Sequence, residues 1–313
     1  MQQLTYIVKR ILQMIPVLVV VSFITFASIR LIPGDPATLM LGSEATPENI
    51  EAMRASMGLD KPFLTQYLIF LNQLIHLDFG TSITLNTTVW ELFCQKVVVT
   101  ITLTIATILF AVIISFPLGF LAGKYEESFF GKAVNALSLA VISVPDFWLG
   151  ILLLMQLALK HPIFPVGGWG ETWAEHFRAI ILPAFTACIA TTSLLTRNTQ
   201  ANVSEIMKKD YVNFAKSKGL SGWIISTRYI MKNVMVSTIT LLVIRITNMI
   251  SGSVVIETVF ALPGLGALLL TAVLKRDYPL VQGLVFLFAV VVLVVNLITD
   301  VLYSFLDPRV KLQ

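Results

Sequence analysis

The sequence predicts an all-α, polytopic membrane protein with six transmembrane helices. Its 313 residues are 56% hydrophobic and only 13% charged, and the mean hydropathy is +0.84. A soluble domain of this length needs far more polar surface. A helical span requires about 20 mostly apolar residues. Six stretches are candidates, at 11–31, 98–123, 133–159, 179–196, 234–257 and 280–304.

Two of these spans have individual features. The apolar run of the first is longer than the roughly 7–15 residues of a signal-peptide core, and no small-x-small cleavage pattern follows it, so we expect a retained helix. The fourth is short, contains Pro183 and carries several Ser and Thr residues. That composition favours a helix buried among other helices over one facing lipid.

The distribution of Lys and Arg predicts the orientation. With the N-terminus in the cytoplasm, the cytoplasmic segments hold 13 of these residues, against eight in the outside segments and their edges. Basic residues in short loops favour the cytoplasmic side. We therefore expect both termini in the cytoplasm.

The chain divides by these spans into an N-terminal transmembrane helix (1–32), an extracytoplasmic segment (33–97) and a five-helix core (98–313). Within the extracytoplasmic segment, Thr46 is placed to cap a helix that has Pro47 in its first turn and Gly58 beyond its end. A folded external cap and a loosely ordered loop both remain open.

The core contains a polar insert, "DYVNFAKSKGLSGWIISTRYIMKN", at 210–233 within a cytoplasmic loop at 197–233. Asp210 can cap a helix over 211–218, Gly219 can end it in the left-handed conformation, and Ser221 can cap a second helix. Met207, Tyr211, Phe214 and Ala215 share one predicted apolar face. From the residues alone, the insert is either a basic amphipathic helix on anionic lipid or a docking element for a soluble partner.

Ionisable and polar groups inside spans are candidates for a substrate pathway. Asp146 follows Pro145 in the third span, and Arg245 lies midway along the fifth with Asn248 on the same face. Glu257 lies at the outer end of the fifth span. Asp146 can equally satisfy a broken helix, Arg245 can pair with a partner subunit, and Glu257 can orient the loop after it.

Motifs for catalysis or metal binding are missing from the sequence. The nearest approach to a Walker A motif, "GFLAGK" at 119–124, has the wrong spacing and no Ser or Thr after the Lys. Gly119 and Gly123 instead form a small-xxx-small pair that favours close helix packing. Cys94 and Cys188 suit apolar packing. We expect no catalytic residues, no metal site and no nucleic-acid partner; the alternatives to an ATP-driven transporter are an ion-driven carrier and an intramembrane enzyme.

Marker segments along nearly the whole chain resemble the ABC importer permeases of the dipeptide, oligopeptide and nickel family. The segments are "RLIPGDP" (30–36), "MGLDKPFLTQY" (57–67), "LDFGTSI" (77–83), "SVPDFWLG" (143–150), "ILPAF" (181–185), "IETVFALPGLG" (256–266), "RDYPLVQG" (276–283) and "DVLYSFLDPRVK" (300–311). The resemblance implies the type I ABC importer permease fold in a bacterial inner membrane. It also implies a second homologous permease, two cytoplasmic ATPases that bind ATP and Mg²⁺, and an extracytoplasmic solute-binding protein. The implied cargo is a short peptide, nickel or a metal chelate, and this chain would hold no cofactor.

The same resemblance implies that the polar insert couples the permease to the ATPases. Asn213, Phe214 and Ala215 stand at the family's Glu-Ala-Ala positions and Gly219 at its glycine, whereas Tyr229 to Lys232 depart from its Ile-x-Leu-Pro end. The implied coupling residues are Asp210, Tyr211, Phe214, Ala215, Lys218, Gly219, Leu220 and Ser221.

Overall fold

The computed structural model describes residues 2–31, 36–41, 45–56, 58 and 60–306. Within these residues the secondary structure is helical, and the only β pairing is one antiparallel bridge between Thr81 and Thr88. The helices are α1 (Gln2–Leu31), α2 (Pro36–Leu41), α3 (Pro47–Ser56), α4 (Phe63–Ile75), α5 (Val89–Lys124), α6 (Phe129–Ile142), α7 (Asp146–Leu154), α8 (Trp173–Met207), α9 (Asp210–Ser217), α10 (Gly222–Ile224), α11 (Lys232–Val259), α12 (Leu265–Leu274) and α13 (Tyr278–Leu306). Two π-helical turns, Met155–Lys160 and Ile225–Met231, extend α7 and α10.

The all-α membrane fold is confirmed. Among the described residues, five helical stretches are long and apolar enough to cross a membrane, at 7–28, 89–124, 173–207, 222–246 and 278–301. A sixth span exists if α6 and α7 with its π-helical extension count as one.

The third predicted span, at 133–159, is not one straight helix. α6 and α7 meet at 98° across a short break. The break contains Val144 and Pro145, and Pro145 has φ −65° and ψ 132°. Proline lacks a backbone N–H and disfavours a helical conformation in the residue before it, which explains the bend. Hydropathy alone detects the apolar run but not this change of direction.

The fourth predicted span, 179–196, is the middle of a much longer helix, α8. Pro183 lies inside α8 without ending it, and 67% of the apolar window of α8 is buried. The predicted burial of this helix is therefore confirmed. α8 packs against α6, α7 and α11, and one shared core contains Leu103, Ile180, Leu182 and Phe260.

Gly119 and Gly123 bring α5 against α8, as their spacing predicts. A Cβ atom on Gly119 would lie 2.6 Å from Thr199 Cβ and 2.7 Å from the Thr196 carbonyl oxygen. A Cβ atom on Gly123 would lie 2.6 Å from the Gln200 carbonyl oxygen. These distances leave no room for a side chain.

The chain forms two compact units, the first from residues within 1–98 and 267–298 and the second from 99–266 and 299–306. In the first unit, α3 begins as predicted, with the Asn49 backbone N–H donating to Thr46 Oγ1 at 3.3 Å. The same unit contains a helix that the sequence analysis did not predict, α12. Its ten residues are too few to cross a membrane, so a search for apolar runs of about 20 residues does not detect it.

Asp277, just before α13, joins distant parts of the first unit. Its Oδ2 accepts from the hydroxyls of Ser82 at 2.6 Å and Thr84 at 2.8 Å, and from the Thr84 backbone N–H at 3.0 Å. Burial by itself raises the pKa of this carboxyl, but the combined hydrogen bonds outweigh it and the pKa is lowered. The Asp277 carboxylate therefore ties the segment before α5 to the start of α13.

Candidate functional site

The polar insert is built on a packed base in the second unit. One cluster buries Val203 of α8, Val212 and Ala215 of α9, Ile230 of the second π-helical turn and Val234 at the start of α11. Met207 and Leu220 pack against it. This cluster fixes α9 to the ends of two membrane helices, so the insert is not a free loop.

Gly219 makes the bend between α9 and α10. Its φ of +74° lies in the left-handed region, as the sequence predicts, and a Cβ atom there would meet nothing within 4 Å. The Leu220 backbone N–H donates to the Ala215 carbonyl oxygen at 3.3 Å. Ser221 then caps α10 by accepting from the Ile224 backbone N–H at 3.4 Å. The need for glycine at 219 is therefore conformational and not a matter of space.

The predicted cap at Asp210 is wrong. α9 begins at Asp210 itself, after Lys209, and no side chain caps it. Asp210 is instead the acidic residue of the first turn, where a carboxylate interacts favourably with the helix dipole.

The predicted apolar face of the insert is also partly wrong. Val212 and Ala215 are buried, whereas Tyr211 is exposed and Phe214 is 60% exposed. Trp223 of α10 is 78% exposed. Lys218 Nζ lies 4.6 Å from the centre of the Phe214 ring, a cation–π distance. The sequence period locates an apolar stripe, but the neighbouring helices decide which part of it is covered.

A second contact holds the turn between α5 and α6 to the end of α8. The Ser204 hydroxyl and Lys208 Nζ both donate to Glu126 Oε2, the latter at 3.1 Å. The hydrogen bonds from Ser204 first and Lys208 second lower the pKa of the Glu126 carboxyl. The carboxylate is therefore ionised at neutral pH and anchors this turn beside α9.

A cavity of about 200 Å³ lies between α5, α7, α8 and α11, away from the insert. It brings together two of the predicted pathway residues, Asp146 at the start of α7 and Arg245 in α11. Its other polar lining residues are Thr104, Thr107, Thr191 and Ser253. The opposite charges of Asp146 and Arg245 face one small space.

The hydrogen bonds around this cavity leave acceptor and donor groups that a bound molecule can use. The hydroxyls of Thr104 and Thr107 donate to carbonyl oxygens of their own helix, at 2.8 and 2.7 Å, so their lone pairs remain able to accept. Arg245 Nε is buried, and no described residue accepts a hydrogen bond from it. A buried donor of this kind is costly unless a bound molecule or water satisfies it.

The other two pathway candidates do not join this arrangement. The side chain of Asn248 lies outside the described residues. Glu257 is fully buried and does not line the cavity. Its Oε1 accepts from the Thr100 hydroxyl at 2.7 Å, and that hydroxyl in turn accepts from the Leu265 backbone N–H at 2.9 Å. Glu257 thus organises the loop between α11 and α12.

The threonines and the serine of the cavity were not among the residues predicted from the sequence. The Thr-rich run of α5 was a usable signal, because Thr100, Thr104 and Thr107 recur at helical spacing. Nothing in the sequence brings Thr191 or Ser253 to the same place. No group of three or more His, Cys, Asp or Glu residues that could hold a metal ion occurs in the part of the chain that the structure describes.

Comparison with known proteins places these features in a family. Residues 115–312 match the binding-protein-dependent transport system inner membrane component, and residues 3–104 match its N-terminal region. The oligopeptide transport system permease protein AppB of Bacillus subtilis is 34% identical over 98% of this chain and 99% of its own length. The dipeptide transport system permease protein DppB of Escherichia coli is 31% identical over the same shares.

A Brucella abortus protein, provisionally named as a peptide transport system permease, is 36% identical over 97% of this chain and 98% of its own length. The matches extend over both units, so the resemblance is not confined to one motif. The family consists of membrane transport permeases rather than enzymes. This chain belongs to the binding-protein-dependent transport system inner membrane components, as an ABC importer permease of the peptide family.

Proposed function

We propose that this chain is one of two non-identical permease subunits that form the translocation pathway of an ATP-driven importer for short peptides. Relatives named for dipeptide and oligopeptide transport align with nearly the whole chain, which supports peptides as the cargo. Two cytoplasmic ATPases would bind ATP and Mg²⁺, so this chain would need no cofactor of its own. A solute-binding protein would deliver the peptide from outside.

In this proposal both termini and the α9–α10 insert lie on the cytoplasmic side of a bacterial inner membrane. The basic residues of the insert support that orientation, because they include Lys216, Lys218, Arg228 and Lys232 in one short segment. The insert then faces the ATPases.

The observation that carries the proposal is a bend with exposed aromatic side chains, packed on the ends of two membrane helices. Phe214 and Trp223 are exposed, whereas Val212, Ala215 and Ile230 beneath them are buried. Exposed aromatics above a packed base are typical of a protein docking surface. A helix that only rested on lipid would not need a fixed bend at Gly219.

A helical connection also links the insert to the cavity. Helical structure is continuous from Gly222 through Ile225–Met231 to Val259, and Arg245 lies on it. From Gly222 to Arg245 the rise is about 35 Å at about 1.5 Å per residue. A movement of the docked insert would therefore tilt the helix that carries Arg245, which is the coupling that alternating access requires.

The cavity chemistry suits a zwitterion. Asp146 can attract the ammonium group of a peptide and Arg245 its carboxylate, while the threonine hydroxyls accept from amide N–H groups. Arg245 would repel a bare Ni²⁺ ion. A metal–chelate complex with free carboxylates would satisfy Arg245 and is the alternative cargo.

Gly219→Val tests the coupling proposal, with Gly222→Val as the matched control. Valine tolerates φ near +74° poorly, so the bend should distort, whereas Gly222 has ordinary helical φ and open space around it. We expect the assembled transporter with Gly219→Val to insert normally but to lose peptide-stimulated ATP hydrolysis. The Gly222→Val transporter should keep it. Equal ATPase stimulation in the two variants would remove the insert from the mechanism.

A further inference from the structure

Helix α4 has a composition unlike that of a helix in water. Its 13 residues include no charged side chain, and leucine, isoleucine, phenylalanine and tyrosine make up most of it. At about 1.5 Å per residue it is about 20 Å long, too short to span a bilayer whose apolar core is about 30 Å thick. Apolar helices of this length are either buried in protein or lie at a membrane surface.

One side of α4 packs against α1. The side chains on this side are Phe63, Tyr67, Phe70 and Leu74, at helical positions 0, 4, 7 and 11. The rings of Phe63, Tyr67 and Phe70 all lie within 5.6 Å of the Phe26 ring, centre to centre. Tyr67 is buried, with its hydroxyl 3.0 Å from Ser22 Oγ.

These contacts locate α4 along the apolar span of α1. The apolar span of α1 ends at Ser28. Ser22 is six residues earlier, so the Tyr67 hydroxyl reaches about 9 Å into the span at about 1.5 Å per residue. A helix whose side chain bonds there lies at the boundary between headgroups and acyl chains, which is where interfacial helices place their apolar face.

A second apolar stripe runs beside the packed one and is largely exposed, with only Leu71 half-buried. It consists of Leu64, Leu68, Leu71 and Ile75, again at positions 0, 4, 7 and 11. Leu68 is 56% exposed and Ile75 is 71% exposed. The polar residues Thr65, Gln66, Asn72 and Gln73 share the remaining side of the helix with one apolar residue, Ile69. The exposed surface of α4 is therefore apolar along one side and mostly polar along the other.

We propose that α4 is an interfacial helix whose Leu64–Leu68–Leu71–Ile75 stripe binds lipid acyl chains, in the leaflet at the C-terminal end of α1. Lipid is favoured over a protein partner because α4 packs on α1 within its apolar span, and α1 itself exposes Val20 and Ile24. Charged residues occur just outside the helix, at Asp60, Lys61 and Asp78. Part of the segment at 33–97 thus lies in the membrane and not in water.

The proposed binding of α4 to lipid does not involve charged side chains. With no Lys or Arg on its polar side, α4 holds lipid by apolar burial alone. Its immersion should not depend on anionic lipid or on salt, unlike that of a basic surface helix.

Nitroxide labelling of the assembled transporter in nanodiscs of phosphatidylethanolamine and phosphatidylglycerol tests the proposal. In a background with Cys94 and Cys188 replaced by serine, Leu68→Cys and Ile75→Cys report the apolar stripe. Gln73→Cys on the same helix is the matched control. We expect the labels at 68 and 75 to collide readily with oxygen and rarely with a water-soluble nickel chelate, and the label at 73 to show the reverse.

Two results would overturn the proposal. Access of the nickel chelate to positions 68 and 75 would place the stripe in water, and protection of both from either reagent would mean that protein covers it. ATP-driven peptide uptake by each labelled transporter, reconstituted separately in proteoliposomes, shows that it is folded. The same uptake measurement keeps failure of this proposal separate from failure of the transport proposal.

Discussion

Arg245 is the residue on which the choice of cargo depends. Its guanidinium stays charged at every physiological pH, and placing such a group within a span costs about 2.5–3.5 kcal/mol even on lenient scales. The cavity shared with Asp146 offers polar surroundings that offset this cost. Arg245 Nε has no acceptor among the described residues. We propose that it donates a hydrogen bond to an anionic group of the cargo.

Replacing Arg245 by methionine should reduce peptide uptake by about 10- to 100-fold, because a hydrogen bond to a charged group contributes about 1.5–3 kcal/mol. Arg245→Lys should retain part of the uptake. Ile244→Met, an exposed neighbour on the same helix, is the control and should transport normally. Uptake of labelled dipeptide is measured alongside assembly of the complex. If Arg245→Met prevents assembly, the residue pairs with the partner subunit instead; normal uptake would exclude any role in the pathway.

Asp277 illustrates a residue whose role is structural although it is charged. Asp277→Ala leaves the donors of Ser82, Thr84 and Leu280 without an acceptor, and should lower the stability of the purified protein by about 1–3 kcal/mol. Asp60→Ala, at an exposed position, should change it by less than about 0.5 kcal/mol. Thermal unfolding in detergent compares the two variants.

The pH dependence of this effect has a definite sign. Because the pKa of Asp277 is lowered on folding, its contribution is complete above the ordinary aspartate pKa of 3.8 and is lost as pH falls through the lower native value. The difference between wild type and Asp277→Ala should be constant from neutral pH to about pH 5 and shrink below about pH 4. A difference that grew on acidification would contradict the assignment.

Single residues were predictable where one local rule decides the outcome. Only glycine readily adopts the φ of Gly219, so the bend could be read from the sequence. Asp210 failed as a cap because α9 starts one residue earlier than expected, and helix ends commonly shift by a residue. The exposure of Phe214 depended on neighbouring helices that local spacing does not describe.

At the scale of elements, the close approach of α5 and α8 is the contact most sensitive to a small change. Gly119→Ala should force these helices apart, since a Cβ atom there would lie 2.6 Å from Thr199 Cβ. Overpacking of this kind costs about 1–3 kcal/mol. We expect a lower unfolding temperature in detergent and less assembled complex. Gly222→Ala, with nothing within 4 Å, is the control and should behave as wild type. Equal stability of the two variants would show that α5 and α8 are not in tight contact at Gly119.

The existence and approximate limits of most membrane helices followed from hydropathy, because a long apolar run has few other structures available in lipid. The 98° bend between α6 and α7 did not follow. Proline makes such a break possible, but Pro183 lies inside α8 without ending it. Packing against neighbouring helices decides whether a helix breaks at a proline or continues through it. That packing cannot be predicted from the residues next to the proline.

In the whole molecule, one continuous helical path connects the α9–α10 insert, which we propose as a docking surface, to the cavity. The α9–α10 insert is fixed by its buried base, and the helix that follows it carries Arg245 to the cavity. The family assignment rests on matches over both units of the chain. The direction of transport, the source of energy and the cargo are proposals that a single preparation can test together.

That measurement is uptake of labelled dipeptide by proteoliposomes containing both permeases and both ATPases, without an ion gradient. The binding protein and dipeptide are placed on one side, and ATP on the side of the α9–α10 insert. We predict uptake that requires ATP, stops with vanadate and is not displaced by free Ni²⁺. Uptake that continues in vanadate and follows an imposed proton or sodium gradient would contradict it.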